Sequence, residues 1–311
     1  MNKNFDLIVV TGPTATGKTG FASALADRLD GEIISADSRQ VYRGMTIGTG
    51  KDIGEYTVSG KDIPYHLIDI CDAGEEYNVF RFKQDFESVY SDITARGKTP
   101  VLCGGSGLYI ESVLKDYKLL NVPVNEKLRR ELEAKSDEEL KTMLNELTVP
   151  HNITDTSYRK RLVRAVEIAV WQKDHPVGDP GHNLKFIIFG IHFERDTIKK
   201  RITQRLRQRL DDGMVREAQM LFNEGISKDK LVYYGLEYKF LAEYLDGQYG
   251  YNDMFQKLNS AIHRFAKRQM TWFRKMERDG MTINWIDGNL SVHDKLEYAL
   301  KIIGKNIGQE K

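Results

Sequence analysis

The chain has 311 residues, 41% of them hydrophobic and 29% charged, with a formal net charge of +1. This is the composition of a globular protein, and no apolar run approaches the roughly 20 residues that would span a bilayer. The polar residues 1–6 do not resemble a signal peptide. Cys71 and Cys103 have no metal-type spacing, so we expect both thiols to be free and buried in a cytoplasmic protein.

Short apolar segments alternate with segments of helical periodicity in the first part of the chain. The predicted strands are rich in branched apolar residues and cover Asp6–Thr11, Glu32–Ala36, Tyr65–Ile70 and Pro100–Cys103. The predicted helices cover Phe21–Ala26 and Phe80–Arg96. This alternation predicts an α/β fold with a doubly wound parallel sheet.

The pattern changes near residue 121. Residues 121–184 have charged, helical periodicity without a clear strand, and they close with the turn-rich segment His175–Gly181. Phe186–Gly190 then resumes the strand pattern, residues 195–278 are mostly helical, and Ile283–Ile286 is a candidate last strand. We therefore predict a core domain of residues 1–120 and 185–311, with a helical insertion at 121–184.

A complete P-loop pattern follows the first strand and opens the first helix. Its members are Gly12, Pro13, Thr14, Ala15, Thr16, Gly17, Lys18 and Thr19. The glycines let the backbone curl so that several N–H groups point at one oxyanion, and the helix adds its positive N-terminal dipole. Lys18 contributes a point charge, and the Thr19 hydroxyl is a ligand for Mg²⁺. The motif predicts a site for a diphosphate or triphosphate.

The acid that a nucleotide hydrolase places after a buried strand is missing at the expected position. The strand Val101–Cys103 runs into Gly104–Gly107, and Asp69 is the nearest substitute. This argues against ATP hydrolysis and favours another use of the phosphate site.

Asp37 follows the second predicted strand. Because loops after neighbouring parallel strands meet at one crevice, this carboxylate should face the bound phosphates, where it can accept a proton from an attacking nucleophile. The sequence fits equally well with a helix N-cap, since Asp and Ser are favoured there. Both interpretations remain open at this point.

Basic residues collect in two stretches of the later chain. They are Arg195, Lys199, Lys200, Arg201, Arg205, Arg207 and Arg209, and then Arg264, Lys267, Arg268, Arg274, Lys275 and Arg278. Such stretches suit a polyphosphate partner but are also common on solvated helix faces.

Six motifs in order resemble those of tRNA dimethylallyltransferases. They are the P-loop, Asp37–Met45, Ile47–Lys51 (the family's IGTAK), His66–Asp69 (within HHLID), Gly104–Tyr109 (GGTGLY) and Ala266–Phe273 (AKRQxTWF). The departures are Tyr65 for the first histidine, Gly50 for alanine, Ser106 for threonine, and a loose match of Glu237–Lys239, or of Gly235 in another register, to GYK. The family segment before the basic part of the insertion is poorly matched in Thr148–Tyr158.

This resemblance implies the reaction. Members of the family transfer a dimethylallyl group from dimethylallyl diphosphate to the exocyclic amine of the adenosine next to the anticodon on its 3′ side. Asp37 corresponds to the general base. Lys18, Thr19 and Mg²⁺ would hold the leaving diphosphate, assisted by Arg205.

The resemblance also implies contacts with the anticodon stem-loop of tRNA, whose target adenosine must leave its stack. The corresponding residues are Asp37, Ser38, Arg39, Gln40, Ser106, Arg129, Lys160, Arg161, Leu162, Val163 and Arg164. We expect Trp272 and Phe273 to pack in the core and His66 and His263 to make structural hydrogen bonds. We expect a monomer.

Two other functions compete with this one. A related prenyltransferase acting on free AMP or ADP would need no basic surface for RNA. A P-loop kinase or a nucleotide-gated RNA-binding protein would bind ATP tightly and hydrolyse it. The basic stretches argue against the first alternative. The missing strand-end acid and the position of Asp37 argue against the second.

Overall fold

A six-stranded parallel sheet forms the centre of the protein in a computed structural model that describes residues 5–117, 119, 122–147, 158–175 and 184–307. Its strand order is β5-β2-β6-β1-β7-β8. These strands are β1 Leu7–Thr11, β2 Gly31–Ser35, β5 Tyr65–His66, β6 Thr99–Gly104, β7 Phe186–His192 and β8 Ile283–Asp287. A separate antiparallel pair joins β3 Thr57–Val58 to β4 Lys61–Asp62.

The sheet is buried on both faces, as the uninterrupted apolar segments predict. Along β1, Leu7 and Val9 pack into one core cluster while Ile8 and Val10 pack into another, so successive side chains alternate between the two faces. The predicted α/β class with a doubly wound parallel sheet is confirmed.

Helices flank this sheet in the core unit, residues 1–117 and 183–311. They are α1 Lys18–Arg28, α2 Val79–Ala95, α3 Gly107–Leu114, α7 Arg195–Asp211, α8 Met214–Asn223, α9 Lys228–Tyr233, α10 Leu236–Leu245, α11 Tyr251–Arg278 and α12 Val292–Ile307. A 3₁₀ turn covers Ile53–Tyr56. The last two turns of α11 place Phe273 in the core, as predicted.

One strand prediction was too long. The third strand pairs with β2 only at Tyr65 and His66. Leu67 and Asp69 have φ values of 62° and 55°, in the left-handed region that ends a strand. His66 Nε2 donates to the Glu32 carboxylate across 2.8 Å, which agrees with its expected structural role.

The helical unit, residues 118–182, has a small core of its own. Its helices are α4 Glu126–Glu133, α5 Asp137–Leu147 and α6 Arg159–Asp174. Leu132 and Leu140 pack there with Leu162 and Val163. Residues 148–157 and most of the predicted turn-rich segment, 176–181, lie outside the described residues.

Both cysteines are free and buried, as predicted. Within the described ranges, no helix is long and apolar enough to cross a membrane.

Candidate active site

The P-loop joins the end of β1 to the start of α1 at the carboxyl edge of the sheet. Only glycine fits at position 12, because a Cβ there would lie 2.6 Å from the carbonyl oxygen of Ile191. Gly17 has a φ of 74°, which favours glycine. The hydroxyl of Thr16 donates to the carbonyl of Pro13 at 2.9 Å and closes the loop. The backbone is therefore curled around the start of α1, where an anion is stabilised.

Arginines on one face of α7 reach this loop. Arg201 Nε donates to the carbonyl of Ala15 at 2.9 Å, and Arg205 Nη1 donates to the Thr14 hydroxyl at 3.2 Å. The same face continues to Arg209, since residues four apart are neighbours on a helix. The structure thus places Arg205, which the family motif selects, directly beside the predicted phosphate position.

Gln269 connects the P-loop to the glycine-rich loop after β6. Its buried side-chain carbonyl accepts from Thr14 N at 2.9 Å, and its amide donates to the carbonyl of Gly105 at 2.9 Å. A Cβ on Gly105 would lie 2.4 Å from this amide nitrogen. This glutamine of the last motif therefore fixes the spacing of two loops of the site.

A cleft with a volume of about 370 Å³ opens over the start of α1. Lys18, Thr19, Asp52, Glu55 and Arg205 contribute to its walls. Burial lowers the pKa of Lys18, and the positive charge of Arg205 lowers it further, while carboxylates nearby oppose the shift. Burial raises the pKa of Glu55, whose carboxylate accepts from Gly20 N at 3.1 Å. A lysine poised in this way stabilises charge that arrives with a ligand.

The oxygen donors of this cleft suit Mg²⁺. The Thr19 hydroxyl shares the cleft with the carboxylates of Asp52 and Glu55, and hydroxyl and carboxylate oxygens are the ligands this ion prefers. No group of three or more His, Cys, Asp or Glu side chains arranged as a metal site occurs among the described residues. A magnesium ion here would therefore depend on phosphate oxygens and water for most of its ligands.

Asp37 lies in the loop after β2, at the same carboxyl edge of the sheet as the P-loop, but β6 lies between β2 and β1, so the two strands are not the direct neighbours that we expected. Its Oδ1 accepts from Arg39 N at 2.9 Å, so the carboxylate caps a turn, and the residues after it form turns rather than a helix. The N-cap interpretation is therefore wrong in its helix but right in its capping chemistry. The negative charge of Asp37 raises the pKa of Lys18, of Arg209 and of Glu237, so the carboxylate acts on charged groups around the P-loop cleft.

The loop of the third motif is held by one carboxylate from α8. Glu217 accepts from the backbone N–H groups of Thr46, Ile47 and Gly48 at 2.8 to 2.9 Å. The Tyr238 hydroxyl donates to the same carboxylate at 2.7 Å. Four donors on one side chain fix this loop against the helices of the core.

Lys51 ends the same loop, and its contact with Asp69 shows what that carboxylate does in the fold. The Lys51 ammonium, which is buried, donates to the carbonyl of Tyr42 and to the Asp69 carboxylate. Asp69, the nearest substitute for a nucleotide-hydrolase acid, is therefore engaged in holding the second and third motifs together.

The remaining residues predicted to meet the base surround Asp37. The Ser106 hydroxyl accepts from Ser38 N at 3.2 Å. Gln40 donates to the carbonyl of Gly50 at 2.9 Å and accepts from the Ser35 hydroxyl, so its amide is used on both sides. Arg39 lies over the Tyr233 ring at 5.3 Å.

Trp272 packs against Gly107, whose Cβ would lie 2.4 Å from the indole. Trp272 thus packs as predicted.

The residues of the helical unit that were predicted to contact RNA have side chains in three different environments. Leu162 and Val163 bury their side chains in the unit's core, so the prediction that they contact tRNA is not supported for those side chains. Arg129 and Arg164 bind the buried carboxylate of Glu167 at 3.1 and 2.5 Å. Lys160 and Arg161 are exposed.

Sequence reasoning missed several residues of the site. Gln269 stood in a recognised motif without an assigned role, and Asp52, Glu55 and Glu217 carried no motif signal. Arg201 and Arg209 were assigned only to a basic stretch. The spacing of Arg201, Arg205 and Arg209 at intervals of four was a signal that could have placed all three on one helix face.

A phosphate-binding loop at the carboxyl edge of a parallel sheet, with arginines and a carboxylate in one crevice, defines a P-loop α/β enzyme. Family models match this chain as IPP transferase over residues 40–276 and as isopentenyl transferase over residues 5–64. The chain therefore belongs to the IPP transferase family. It is an enzyme of the tRNA dimethylallyltransferase type, and the resemblance seen in its motifs is confirmed.

Individual relatives agree. The chain is 51% identical over 306 residues to tRNA dimethylallyltransferase 1 of Parabacteroides distasonis, covering 98% of this chain and 100% of that protein. It is 54% identical to the enzyme of the same name from Azobacteroides pseudotrichonymphae, covering 92% and 94%. The crystal structure of a tRNA isopentenylpyrophosphate transferase from Bacillus halodurans matches with a TM-score of 0.71 and 32% identity over 96% of both chains.

Proposed function

We propose that this enzyme transfers the dimethylallyl group of dimethylallyl diphosphate to N6 of the adenosine on the 3′ side of the anticodon in tRNA. The observation that supports the proposal is that Asp37, a carboxylate from the loop after β2, acts on the charges of Lys18 and Arg209, while Arg205 of α7 bonds the P-loop. An anion site and a proton acceptor in the same crevice suit a nucleophilic displacement with an anionic leaving group.

The proposed step forms one bond and breaks one. N6 of adenosine attacks the first carbon of the dimethylallyl group, the carbon–oxygen bond to diphosphate breaks, and the electron pair leaves with the diphosphate. The proton lost from N6 passes to the Asp37 carboxylate. Arg39 N keeps that carboxylate oriented through its 2.9 Å hydrogen bond.

The leaving diphosphate is stabilised by groups already aimed at the P-loop. Lys18 and Arg205 place positive charge at the cleft, and the curled backbone of residues 12–17 offers N–H groups. Thr19 would hold Mg²⁺, which would neutralise the phosphate oxygens further. The diphosphate is anionic in the donor and gains further negative charge as the bond breaks, so these groups hold the donor and also lower the barrier.

For the tRNA we propose contacts from both units. In the core, Ser38, Arg39 and Ser106 lie next to Asp37 and would surround a base that has left its stack. In the helical unit, exposed Lys160 and Arg161 suit the phosphate backbone. Arg129 and Arg164 are proposed as supports for that surface, because Glu167 already binds them. We further propose that the enzyme acts in the cytoplasm as a monomer, which size-exclusion chromatography with light scattering would test.

The decisive experiment incubates the protein with Mg²⁺, labelled dimethylallyl diphosphate and unmodified tRNA, with AMP in a parallel tube. Label in tRNA and none in AMP is the expected result. Label in AMP alone would assign the chain to nucleotide prenyltransferases. Hydrolysis of ATP with no label in either acceptor would return the P-loop to a nucleotide and overturn the proposal.

A further inference from the structure

Arg209 is a guanidinium whose surroundings leave part of it without a hydrogen bond. It lies on α7, one turn beyond Arg205, and its side chain is 13% exposed. Its Nη2 atom is buried and has no hydrogen-bond partner in the part of the chain that the structure describes. A buried donor without a hydrogen bond carries a substantial desolvation cost. A group held in such a position needs an explanation, and one explanation is that it binds a ligand.

Gly50 is what gives Arg209 its space. A Cβ on Gly50 would lie 1.6 Å from Arg209 Nη2 and 2.7 Å from Arg205 Nη2. The two guanidinium groups therefore converge on one point above this glycine. The φ of Gly50 is 69°, in the region that favours glycine. This is the position at which the chain departs from the alanine of the family motif, and the departure coincides with the approach of the second arginine.

Two like charges that converge need negative charge nearby. Asp52 is 2.7 Å from Arg205 Nη2 and 4.0 Å from Arg209 Nη2. Burial lowers the pKa of Arg209 to about 10, and the charge of Arg205 contributes to this, while Glu237, Asp52 and Asp37 oppose it. Arg209 is thus still cationic at neutral pH. Because the two guanidinium groups repel each other, an additional anion beside them would be stabilised.

We propose that Arg209 is a second guanidinium of the diphosphate site, acting with Arg205, and that Gly50 creates the room for it. The proposal rests on the function proposed above, because it takes the anion to be the diphosphate of the prenyl donor. Arg205 reaches the P-loop hydroxyl of Thr14 with Nη1 and turns Nη2 toward Arg209. The pair therefore extends the P-loop site with planar donors that suit phosphate oxygens.

The test measures the affinity of the full-length protein for inorganic pyrophosphate with Mg²⁺ by isothermal titration calorimetry. Arg209→Met should weaken binding by at least about tenfold, because a charge-assisted hydrogen bond is lost. Arg209→Lys keeps the positive charge but loses the planar guanidinium, so its pyrophosphate affinity should lie between those of wild type and Arg209→Met. Arg207→Met is the matched control: Arg207 is exposed on the same helix and lies over the Phe255 ring at 5.7 Å. Its pyrophosphate affinity should stay within about twofold of wild type.

Gly50→Ala provides a second, independent variant. It leaves every charge in place but puts a methyl group where the guanidinium groups converge, so pyrophosphate binding should weaken while the thermal unfolding transition persists. Steady-state kinetics should show the KM for dimethylallyl diphosphate rising in Arg209→Met, with the KM for tRNA unchanged.

Three results would overturn the proposal: wild-type pyrophosphate affinity in a folded Arg209→Met, an equal loss in Arg207→Met, or a raised KM for tRNA instead of the donor. Its failure is separable from failure of the proposed function. If the wild type transfers label to tRNA and Arg209→Met binds pyrophosphate normally, only the role of Arg209 falls. If pyrophosphate binding depends on Arg209 but no tRNA is labelled, the anion site stands and the reaction is wrong.

Discussion

The arginines of the core crevice and those of the helical unit meet carboxylates in different ways. In the helical unit, Arg129 and Arg164 both bind Glu167, whose carboxylate is 1% exposed. In the crevice, Arg209 keeps a buried nitrogen without a hydrogen bond among the described residues, and Arg205 shares its donors between Asp52 and the P-loop. Arginine side chains therefore share a buried carboxylate in one region and keep donors that are only partly paired in the other.

The pKa values express this difference. Burial alone would raise the pKa of Glu167, but the amide of Asn125 and the guanidinium groups of Arg164 and Arg129 lower it below its ordinary value. Glu237, in the crevice near Arg209 and Arg205, has its pKa raised by burial. Charges are thus matched within the helical unit and left partly unmatched in the crevice.

The largest expected effect is at the crevice. Asp37→Ala should lower kcat for tRNA prenylation by about 10²- to 10⁴-fold, because the proton acceptor is lost. Its tRNA affinity, measured by filter binding, should change little. Asp37→Asn is the informative partner, since its side-chain oxygen can still cap Arg39 N. Substantial activity in the asparagine variant would remove Asp37 from the role of base.

A second prediction concerns the matched charges. Glu167→Gln should lower the free energy of unfolding by about 2 kcal/mol at pH 7, since two half-buried arginines lose their partner. Urea denaturation followed by circular dichroism would measure this. An unchanged midpoint would mean that solvent replaces the carboxylate without cost.

The same residue predicts a pH dependence. Because folding lowers the pKa of Glu167 below its ordinary value of 4.5, its contribution is present above that pH and is lost as the pH falls through the folded value. Wild type should therefore lose stability below about pH 4.5 more steeply than Glu167→Gln. Parallel curves for the two proteins would show that Glu167 does not contribute to acid unfolding.

A moderate effect is expected for the link between the P-loop and the loop after β6. Gln269→Met should weaken pyrophosphate binding by about five- to tenfold, since Thr14 N and the carbonyl of Gly105 both lose their partner. Gln219→Met is the control, because Gln219 bonds only to Asn223 in its own helix among the described contacts. A similar loss in both variants would argue against a specific role.

The smallest effect is expected on the surface of the helical unit. Replacing Lys160 and Arg161 by alanine should weaken tRNA binding about threefold to tenfold at low salt and reduce the salt slope by about 1.5. The matched control replaces exposed Lys127 and Arg130 of α4, which removes the same charge from the same unit. Equal salt slopes for the two double variants would indicate that tRNA affinity depends only on the net charge of the unit.

The sequence predicted the parallel sheet and the P-loop because both depend on local patterns. Branched apolar runs and a glycine-rich turn report their own conformation. It could not predict that Gln269 bonds Thr14, or that Glu217 holds the loop at residues 46–48, because those contacts join distant segments. It also could not separate Leu162 and Val163 from Arg161, since a motif gives no direction to side chains until the helix is packed.

Gln269 reaches the P-loop from 255 positions further along the chain, and Arg205 reaches it from 191. During synthesis the phosphate-binding loop therefore leaves the ribosome long before its supports exist. The nascent chain also lacks β7, one of the two strands that pair with β1, until residue 192 has been added. The crevice therefore cannot be complete before α11 has been synthesised, and a chain truncated before α11 would carry the P-loop motif without the Gln269 contact.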